Sequence, residues 1–483
     1  MSSEGQFQQI AAREAGLRRT LTARQMSMIA IGGAIGTGLF LGSGFAIGFA
    51  GPSVLISYAI GALISLLLMG CLAEMTVAHP TSGSFGAYAE HYISPWAGFL
   101  VRYSYWACIV LAVGTEVTAI ALYMKYWFPA VPGWMWIIGF SAVLVLVNAL
   151  SVDVFGSVEY WFSVIKITAI VAFIVIGSYV VFVNPSLVAS ASATADSGAD
   201  GSIAGFHHYF DHGGFFPKGI WGMWVAVIVS IFSYLSIEMI AVAAGEAEDP
   251  ERAVTQAFRS TVVRLVLFYL VTMALMLAIV PWTAAGRDES PFVKMMIAVH
   301  MPGAASVINF VVLVAALSAM NSQLYITTRM MFSLARAGYA PRSLGEVNER
   351  GVPFGALLLS TAGIAIATVV SVLYPNASFT IMMAIAMFGA MFTWMMIFVT
   401  HYFFRRRRAA SGAPASNFRM PGFPVLTLLG AGLMLAIMIT TYFTPEFHMT
   451  LIFGVPFLIV LSLMYFARYR NQAALSQAGR APQ

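Results

Sequence analysis

The sequence predicts an all-α polytopic membrane protein whose helices cross the bilayer twelve times. Of its 483 residues, 60% are hydrophobic and only 9% are charged, which is more apolar surface than a water-soluble fold can bury. Apolar runs long enough to span a bilayer as helices recur along the whole chain. The first and sixth of these runs are interrupted by glycine or polar residues, which predicts that helices 1 and 6 are discontinuous.

Short polar segments separate the predicted spans. Their approximate limits are residues 27–50, 53–73, 96–128, 134–152, 159–183, 219–245, 261–280, 304–332, 355–374, 379–404, 425–443 and 450–466. Cys71 and Cys108 both lie in apolar spans and form no disulfide framework or metal pattern. Residues 1–24 are polar and lack the core and cleavage site of a signal peptide, so the first span is the expected insertion signal.

Lysine and arginine are distributed unequally between the two sides that these spans define. If the N-terminus is cytoplasmic, that side carries most loop arginines, including the run 405–408. Arg102 is not assigned to either side. Positive residues favour the cytoplasmic side, so both termini are predicted to be cytoplasmic. The net charge of +5 reflects these loops rather than a nucleic-acid surface. The opposite side carries only Lys125, Lys218, Arg287 and Lys294.

The interruption in the first span is a cluster of glycines in residues 29–44, IAIGGAIGTGLFLGSG. Glycine disfavours a helix interior by about 0.5–1 kcal/mol relative to alanine, so a break is expected here. Irregular backbone is tolerated in a membrane only where it lines a cavity or is buried in protein. Freed amides hold anions and freed carbonyls hold cations, which together suit a zwitterion. The GxxxG spacing leaves a second interpretation open, in which the glycines only allow close helix packing.

The sixth span carries Ser233 and Ser236 beside Glu238 in an otherwise apolar run. The first and sixth spans occupy corresponding positions if spans one to five and six to ten are repeats of opposite orientation. Interrupted spans at matching positions of two halves indicate a transporter's binding site near the membrane midplane. The halves show no sequence similarity, so this prediction depends on position alone.

Three ionisable residues lie well inside predicted spans: Glu116, Lys166 and Glu238. Each would cost about 2.5–3.5 kcal/mol at the centre of a membrane helix, so all three should face the bundle interior. Two interpretations remain open. The residues pair with one another as structural charges, or they couple transport to an ion, since a desolvated lysine readily exchanges a proton.

Six separated motifs carry a family resemblance. With them the chain resembles the amino acid–polyamine–organocation superfamily, and more closely its bacterial amino acid transporter family, over roughly residues 17–468. The motifs are GAIGTGLF at 33–40, PTSGSF at 80–85, EYWFSVIK at 159–166, FSYLSIE at 232–238, AAGEAEDP at 243–250 and NSQLYITTR at 321–329.

The resemblance implies a LeuT-type fold of two inverted five-helix repeats plus two further helices. The repeats would occupy residues 25–183 and 219–404, joined by an external loop at 184–218. The two extra helices would lie in 405–466, and residues 1–24 and 467–483 would form cytoplasmic tails.

The same likeness assigns roles to residues. The amides of Thr37 and Gly38 would bind a substrate carboxylate, with Gly36 allowing the unwinding. The carbonyls of Ala34 and Leu235 would receive the ammonium group. Phe232 would cover the substrate as a gate, and Lys166 would take the place of a sodium ion. The implied substrate-binding set is Ala34, Gly36, Thr37, Gly38, Phe232, Ser233, Leu235, Ser236 and Glu238, with Lys166 and Glu116 for proton coupling and Asn321, Ser322 and Tyr325 in support on the eighth span.

These expectations predict a proton-coupled permease for a neutral, small or aliphatic L-amino acid in a bacterial inner membrane, with no cofactor and no metal. Its partners would be the amino acid, the proton and membrane lipid, and no nucleic acid. Ser236 stands where many members of the family have a glycine, and its side chain would narrow the pocket and disfavour a large substrate. The open alternatives are an exchanger, a lysine or GABA permease, and an amino acid sensor on a transporter fold. The sequence lacks the patterns that are typical of a channel or of a membrane-embedded enzyme.

Two polar segments between spans are also informative. Residues 79–92, HPTSGSFGAYAEHY, are too polar to span and predict a short helix lying against the bundle. The loop 184–214 contains His207, His208, Asp211 and His212, a set that suggests a metal. No regular spacing on a helix supports that hypothesis, so a solvated loop is favoured.

Overall fold

All regular elements of more than one residue in the described part of the chain are helical, which confirms the all-α prediction. The computed structural model describes residues 3–13, 22, 25, 28, 35–150, 152–189, 203–247, 249–284, 290–299, 303–412 and 416–469. The predicted short helix between the second and third spans is present at Ser84–Tyr92.

The α-helices follow one another with short connections. In chain order they are α1 (Ser3–Arg13), α2 (Ser43–Ala50), α3 (Val54–Ala78), α4 (Ser84–Tyr92), α5 (Pro95–Lys125), α6 (Gly133–Leu150), α7 (Val152–Phe182), α8 (Ser186–Ala189), α9 (Gly219–Tyr234), α10 (Met239–Ala243), α11 (Pro250–Arg264), α12 (Thr272–Ile279), α13 (Pro291–Ala298), α14 (Ala304–Arg336), α15 (Phe354–Ser360), α16 (Ala362–Leu373), α17 (Ser378–Ser411), α18 (Val425–Tyr442) and α19 (His448–Met464). Turns of π-helix lie at Gly38–Gly42, Leu265–Val271 and Tyr465–Tyr469.

Ten helical segments in the described residues are long and apolar enough to cross a membrane. One of them, Gly38–Ala78, is 41 residues long and contains two helices, because Gly51 with a φ of +63° ends α2. The predicted span 261–280 contains a shorter apolar helix, Leu267–Ile279, preceded by α11. The chain is therefore a polytopic membrane protein, and the number twelve stays a prediction.

Three long helices, α5, α14 and α17, form the centre of the bundle. α5 packs along both α14 and α17, and α9 packs against α2 and α3 on another side. The entry to α5 shows why the chain turns there: Ser94 accepts a hydrogen bond from the Ala97 amide at 3.2 Å, and Pro95 occupies the first helical position, an arrangement that starts helices. α6 and α19 lie at the periphery with most of their surface exposed.

The predicted break in the sixth span is present between α9 and α10, at residues 235–238. Ser236 has a φ of +79°, a left-handed conformation that costs an L-residue about 1–2 kcal/mol. In the first span, Ile35 and Gly36 are non-helical and a π-helical turn begins at Gly38. Residues 29–34, including Ala34, lie outside the described part of the chain.

Candidate functional site

The two irregular segments contact each other directly. The Ser233 hydroxyl donates a hydrogen bond to the Gly38 carbonyl oxygen at 2.7 Å. A Cβ atom added to Gly38 would lie 2.5 Å from the Ser233 Cα, a distance that real side chains do not adopt. Glycine is therefore required at residue 38 for the backbones to approach this closely. This contact joins the start of the first-span helix to the end of α9.

Three tyrosines surround Ser233 and fix it. The Tyr269 hydroxyl donates to the Ser233 carbonyl at 2.9 Å, and the hydroxyls of Tyr58 and Ser233 are 2.9 Å apart. Tyr234 in turn donates to the Tyr58 carbonyl at 3.0 Å. The three rings pack on one another with centroids 4.6–6.2 Å apart. This buried tyrosine cluster holds the end of α9 in one position while leaving no tyrosine hydroxyl of the three unsatisfied.

Phe232 is buried beside the contact of the two irregular segments. Its ring meets Phe379 of α17 edge-on, with centroids 6.3 Å apart, and Phe379 stacks on Phe45 of α2 at 5.6 Å. A Cβ atom on Gly42 would lie 3.9 Å from the Phe232 ring. These three phenylalanine rings connect α2, α9 and α17 beside the two irregular segments. The role of Phe232 as a gate stays a prediction.

Glu238 is fully buried at the break, and both of its carboxylate oxygens accept hydrogen bonds. Tyr105 of α5 donates to one oxygen at 2.7 Å, and the Ser236 amide donates to the same oxygen at 3.2 Å. Trp394 of α17 donates its indole N–H to the other oxygen at 3.2 Å. These bonds compensate the burial of the carboxylate and the left-handed Ser236. Glu238 thus fastens the break to α5 and α17.

Glu116 lies on α5 beside the start of the first-span helix. A Cβ atom on Gly36 would be 3.3 Å from a Glu116 carboxylate oxygen and 2.9 Å from the Ala319 Cβ. The Gln323 amide approaches the same carboxylate at 3.5 Å. Gly36 therefore lies between α5 and α14, where a side chain would collide with Ala319 and crowd the Glu116 carboxylate.

Lys166 is fully buried and contacts the first-span irregular segment. Its ammonium donates to the Ile35 carbonyl at 3.2 Å and to the Ser318 hydroxyl at 2.6 Å. The Glu159 carboxylate lies 3.9 Å from the ammonium, and Ser318 donates to that carboxylate in turn. The Lys166 cluster, defined as Lys166, Glu159, Ser318 and Asn321, thus links α7 and α14 to the unwound backbone.

The predicted supporting residues on α14 do not all face Lys166. Asn321 belongs to the Lys166 cluster, since its amide donates to Glu159 at 3.2 Å and accepts a bond from Asn148 at 2.8 Å. Ser322 is buried next to it. Tyr325, one turn further on, donates instead to Glu246 at 2.6 Å.

Glu246 forms a second buried ion pair, with Arg329 of α14. Arg329 binds both of its carboxylate oxygens, at 2.8 Å and 3.3 Å, and the guanidinium lies 3.9 Å from the centroid of the Tyr325 ring. The other face of that ring stacks on Phe155 at 4.2 Å. Arg329 lies near the end of the predicted span 304–332, where an arginine is typical of the cytoplasmic side, but in the structure it is buried and paired.

Sequence reasoning also missed Glu159 and the fate of Arg102. Glu159 precedes Lys166 by seven residues, which is two helical turns on one face, so the spacing itself was an available signal. Arg102, unassigned from the sequence, is fully buried and donates to Glu90 at 2.8 Å and to Ser333 at 3.0 Å. No sequence signal identified Tyr105 as a partner of Glu238.

The helix α1 docks on α4 near these arginines. Arg13 binds Glu90 at 2.6 Å, and the buried Phe7 ring lies 4.2 Å from the His79 ring. Burial, with the nearby Arg408 and His91, lowers the pKa of His79 to about 4. Burial alone would raise the pKa of Glu90, but Arg102 and Arg13 hold it below its ordinary value. Near neutral pH this interface therefore contains a neutral histidine and a charged glutamate.

An all-helical bundle with paired irregular segments and buried ionisable residues defines a class, the polytopic membrane proteins that move small molecules. Known sequences identify the family. The amino acid permease family matches residues 25–476. The putative histidine permease of Bacillus subtilis (strain 168) is 37% identical over 452 residues, which cover 93% of each chain.

Two further relatives have names that refer to transport. Amino-acid permease RocE of Bacillus subtilis (strain 168) is 36% identical over 462 residues, covering 95% of this chain and 97% of RocE. The aromatic amino acid transport protein AroP of Escherichia coli (strain K12) is 34% identical over 459 residues, covering 95% and 97%. The chain belongs to the amino acid permeases, in the bacterial amino acid transporter family of the amino acid–polyamine–organocation superfamily. It is a transporter related to bacterial inner-membrane permeases rather than an enzyme.

Proposed function

We propose that this permease imports a neutral L-amino acid together with a proton by alternating access, on a LeuT-type fold of twelve spans with both termini in the cytoplasm. The observation that carries the proposal is the bond from Lys166 to the Ile35 carbonyl. It connects an ionisable group directly to the unwound backbone that would hold the substrate. A change in the charge of Lys166 therefore changes the stability of the binding segment itself.

The substrate would lie between the two irregular segments. The amides at Thr37 and Gly38 would bind its carboxylate at the beginning of the helix, where the backbone dipole favours an anion. The carbonyls of Ala34 and Leu235 would receive the ammonium, and Phe232 would close over the ligand. The Ser233 hydroxyl is bonded to the Gly38 carbonyl in the structure, so opening the site would require the π-helical turn at Gly38–Gly42 and the end of α9 to separate.

The bonding of Glu238 supports a neutral substrate. Its two oxygens are engaged by Tyr105, Trp394 and the Ser236 amide, so it offers no ready partner for a cationic side chain. Relatives are named for histidine and for aromatic amino acids, so the size of the side chain is left to the uptake assay. Lysine and GABA remain as alternatives through Glu116, which borders Gly36.

Proton coupling would act through the Lys166 cluster. The protonated ammonium bonds to the Ile35 carbonyl and attracts Glu159. Loss of the proton removes that attraction and leaves Lys166 as a neutral amine with fewer donors. The segment at residues 35–38 is then released from α7 and α14. Exchange of internal for external amino acid, without net proton movement, is the second candidate, because a permanently charged Lys166 would serve it equally well.

Uptake into liposomes tests the proposal. Purified protein is reconstituted, and accumulation of a radiolabelled amino acid panel is followed with and without an inward proton gradient. We expect gradient-driven accumulation of neutral amino acids. Uptake that ignores the gradient but needs internal amino acid would make the protein an exchanger, and accumulation of lysine alone would overturn the neutral substrate.

Glycine variants locate the site in the same assay. In Gly38→Ala, the new methyl group collides with Ser233, and binding and uptake should be lost. Gly48→Ala is the matched control, since a Cβ atom there meets nothing within 4 Å. Normal substrate binding by Gly38→Ala would move the site elsewhere.

A further inference from the structure

The loop before α9 places three metal-ligating side chains together. One ligand atom from each of His207, His208 and Asp211 lies within 4.8 Å of the other two. The Asp211 carboxylate is 3.9 Å from Nε2 of His207 and 3.6 Å from Nδ1 of His208. From the sequence a solvated loop is favoured, although Asp211 follows His208 and His207 by three and four residues. A 3-10 turn at Phe206–Tyr209 brings the three side chains together.

The backbone of this turn is fixed before any ligand arrives. The amides of Phe210 and Asp211 donate to the His207 carbonyl at 2.8 Å and 3.0 Å, which folds Asp211 back over the histidines. Gly205 donates to the Ala278 carbonyl at 2.8 Å, and Tyr209 donates to the Ala274 carbonyl at 2.6 Å. The turn is thus fastened at two points to α12, a membrane-embedded helix.

The three side chains differ in exposure in a way that suits a bound ion. The His208 side chain is 1% exposed, whereas those of His207 and Asp211 are 47% and 44% exposed. His208 would be the buried ligand and His207 and Asp211 the exposed ligands, so an ion could enter the site from solvent. The two imidazole rings lie close together, with centroids 4.2 Å apart.

We propose that His207, His208 and Asp211 form a binding site for a divalent transition metal of the zinc class. Two imidazoles and one carboxylate are a donor set that zinc accepts, with a water completing a tetrahedron. Zinc bonds of about 2.0–2.2 Å separate neighbouring ligand atoms by about 3.4 Å. The two distances to Asp211 exceed that value by a few tenths of an ångström, and the two imidazole nitrogens lie within 4.8 Å of each other, so rotation of the exposed His207 and Asp211 side chains would complete the geometry.

The site is independent of the proposed transport chemistry. No residue of the Lys166 cluster or of the two irregular segments takes part in it. The turn meets the permease core through its two bonds to α12, through the His212 carbonyl, which accepts a bond from Trp282 at 3.3 Å, and through the Phe206 ring, whose centroid lies 6.0 Å from that of Phe182 on α7. A bound ion would therefore tie the loop to itself, across five residues, without touching the substrate region.

Zinc titration of the full-length protein in detergent tests the site. The protein carries no polyhistidine tag, is stripped with a chelator and is titrated with zinc chloride in a calorimeter. We expect one equivalent to bind to the wild type, and the affinity to fall at least about tenfold in His207→Ala and in Asp211→Asn, because each removes a ligand. His448→Ala, which removes an exposed histidine elsewhere, should bind like the wild type.

The exposed positions make the test decisive. His208→Ala disturbs a buried side chain, so its result is interpreted only beside the other two variants, whose side chains are nearly half exposed. Absence of stoichiometric zinc binding to the wild type would overturn the proposal. Binding that stays unchanged in both His207→Ala and Asp211→Asn would overturn it as well.

Discussion

The helix α14 contacts two buried pairs of a carboxylate and a cation that are built differently: it supplies Arg329 to one pair, and its Ser318 bridges the other, whose Lys166 and Glu159 both lie on α7. Arg329 grips Glu246 through both carboxylate oxygens, with 2.8 Å and 3.3 Å contacts, and Tyr325 donates a further bond. Lys166 lies 3.9 Å from Glu159, and Ser318 stands between them. Two regions of one helix therefore contact a tight bidentate pair and a loose bridged pair.

The chemistry of the two cations explains the difference. Arginine keeps its proton under all protein conditions and matches a carboxylate with a planar fork. Lysine is a point charge that loses its proton when its surroundings change. The Arg329 pair can therefore only hold or separate, whereas the Lys166 pair can also change its charge. Only the second pair reaches the unwound backbone at Ile35. We infer that the Arg329–Glu246 pair is structural and that the Lys166–Glu159 pair couples transport to the proton.

The largest effect is expected for Arg329→Met. It leaves Glu246 charged and buried without its partner, which typically costs about 3–5 kcal/mol. Thermal unfolding in detergent should show the loss. The double variant Arg329→Met/Glu246→Gln should recover much of it, and Arg342→Met, an exposed arginine in the following loop, should have no effect. Equal destabilisation of the single and double variants would contradict a structural ion pair between Arg329 and Glu246.

Lys166→Met should destabilise less, because Glu159 can take up a proton and keeps its bonds to Ser318 and Asn321. Its main effect should be functional. Proton-driven accumulation in liposomes is expected to fall to the level of protein-free vesicles while exchange persists. Lys294→Met is the control, a half-buried lysine whose ammonium donates to the Ala284 carbonyl at 2.9 Å. Full proton-driven accumulation by Lys166→Met would remove the coupling role.

The smallest effects come from the two hydroxyl groups. Tyr325→Phe removes one of three bonds to Glu246 and should cost about 0.5–1.5 kcal/mol without altering the pH profile of uptake. Ser318→Ala removes the bridge between Lys166 and Glu159 and should cost about 1–3 kcal/mol. It should also shift the pH dependence of uptake. Identical pH profiles for the two variants would erase the distinction between the pairs.

The sequence predicted the helical class and both irregular segments because glycine and serine stand out in apolar runs. Gly38 and Ser236 are examples of residues whose local chemistry alone indicated a break. The partners of Glu238 were not predictable in this way. Tyr105 and Trp394 are 133 and 156 residues distant in the chain, and only the packing of α5 and α17 brings them to the break.

The pairing of the buried charges was also not predictable from local sequence. Arg329 lies near the end of the predicted span 304–332, in a helix that continues to Arg336, so its charge was read as a signal of the cytoplasmic side rather than as half of a buried pair. Glu246 belongs to a polar motif that resembles a loop from its composition. Both residues are buried since each neutralises the other, and that condition depends on two distant segments at once.

The docking of α1 has a consequence for the order in which the protein assembles. Arg336 donates to the Arg13 carbonyl at 2.7 Å across 323 residues of chain. At synthesis rates of about 5–20 residues per second, roughly 16–65 s separate the emergence of these two residues from the ribosome. The bond from Arg336 to α1 therefore cannot form until the helix α14 has been synthesised. The partners of Phe7, His79 and His91, emerge much earlier, so this ring has a surface to pack on long before α1 receives its last bond.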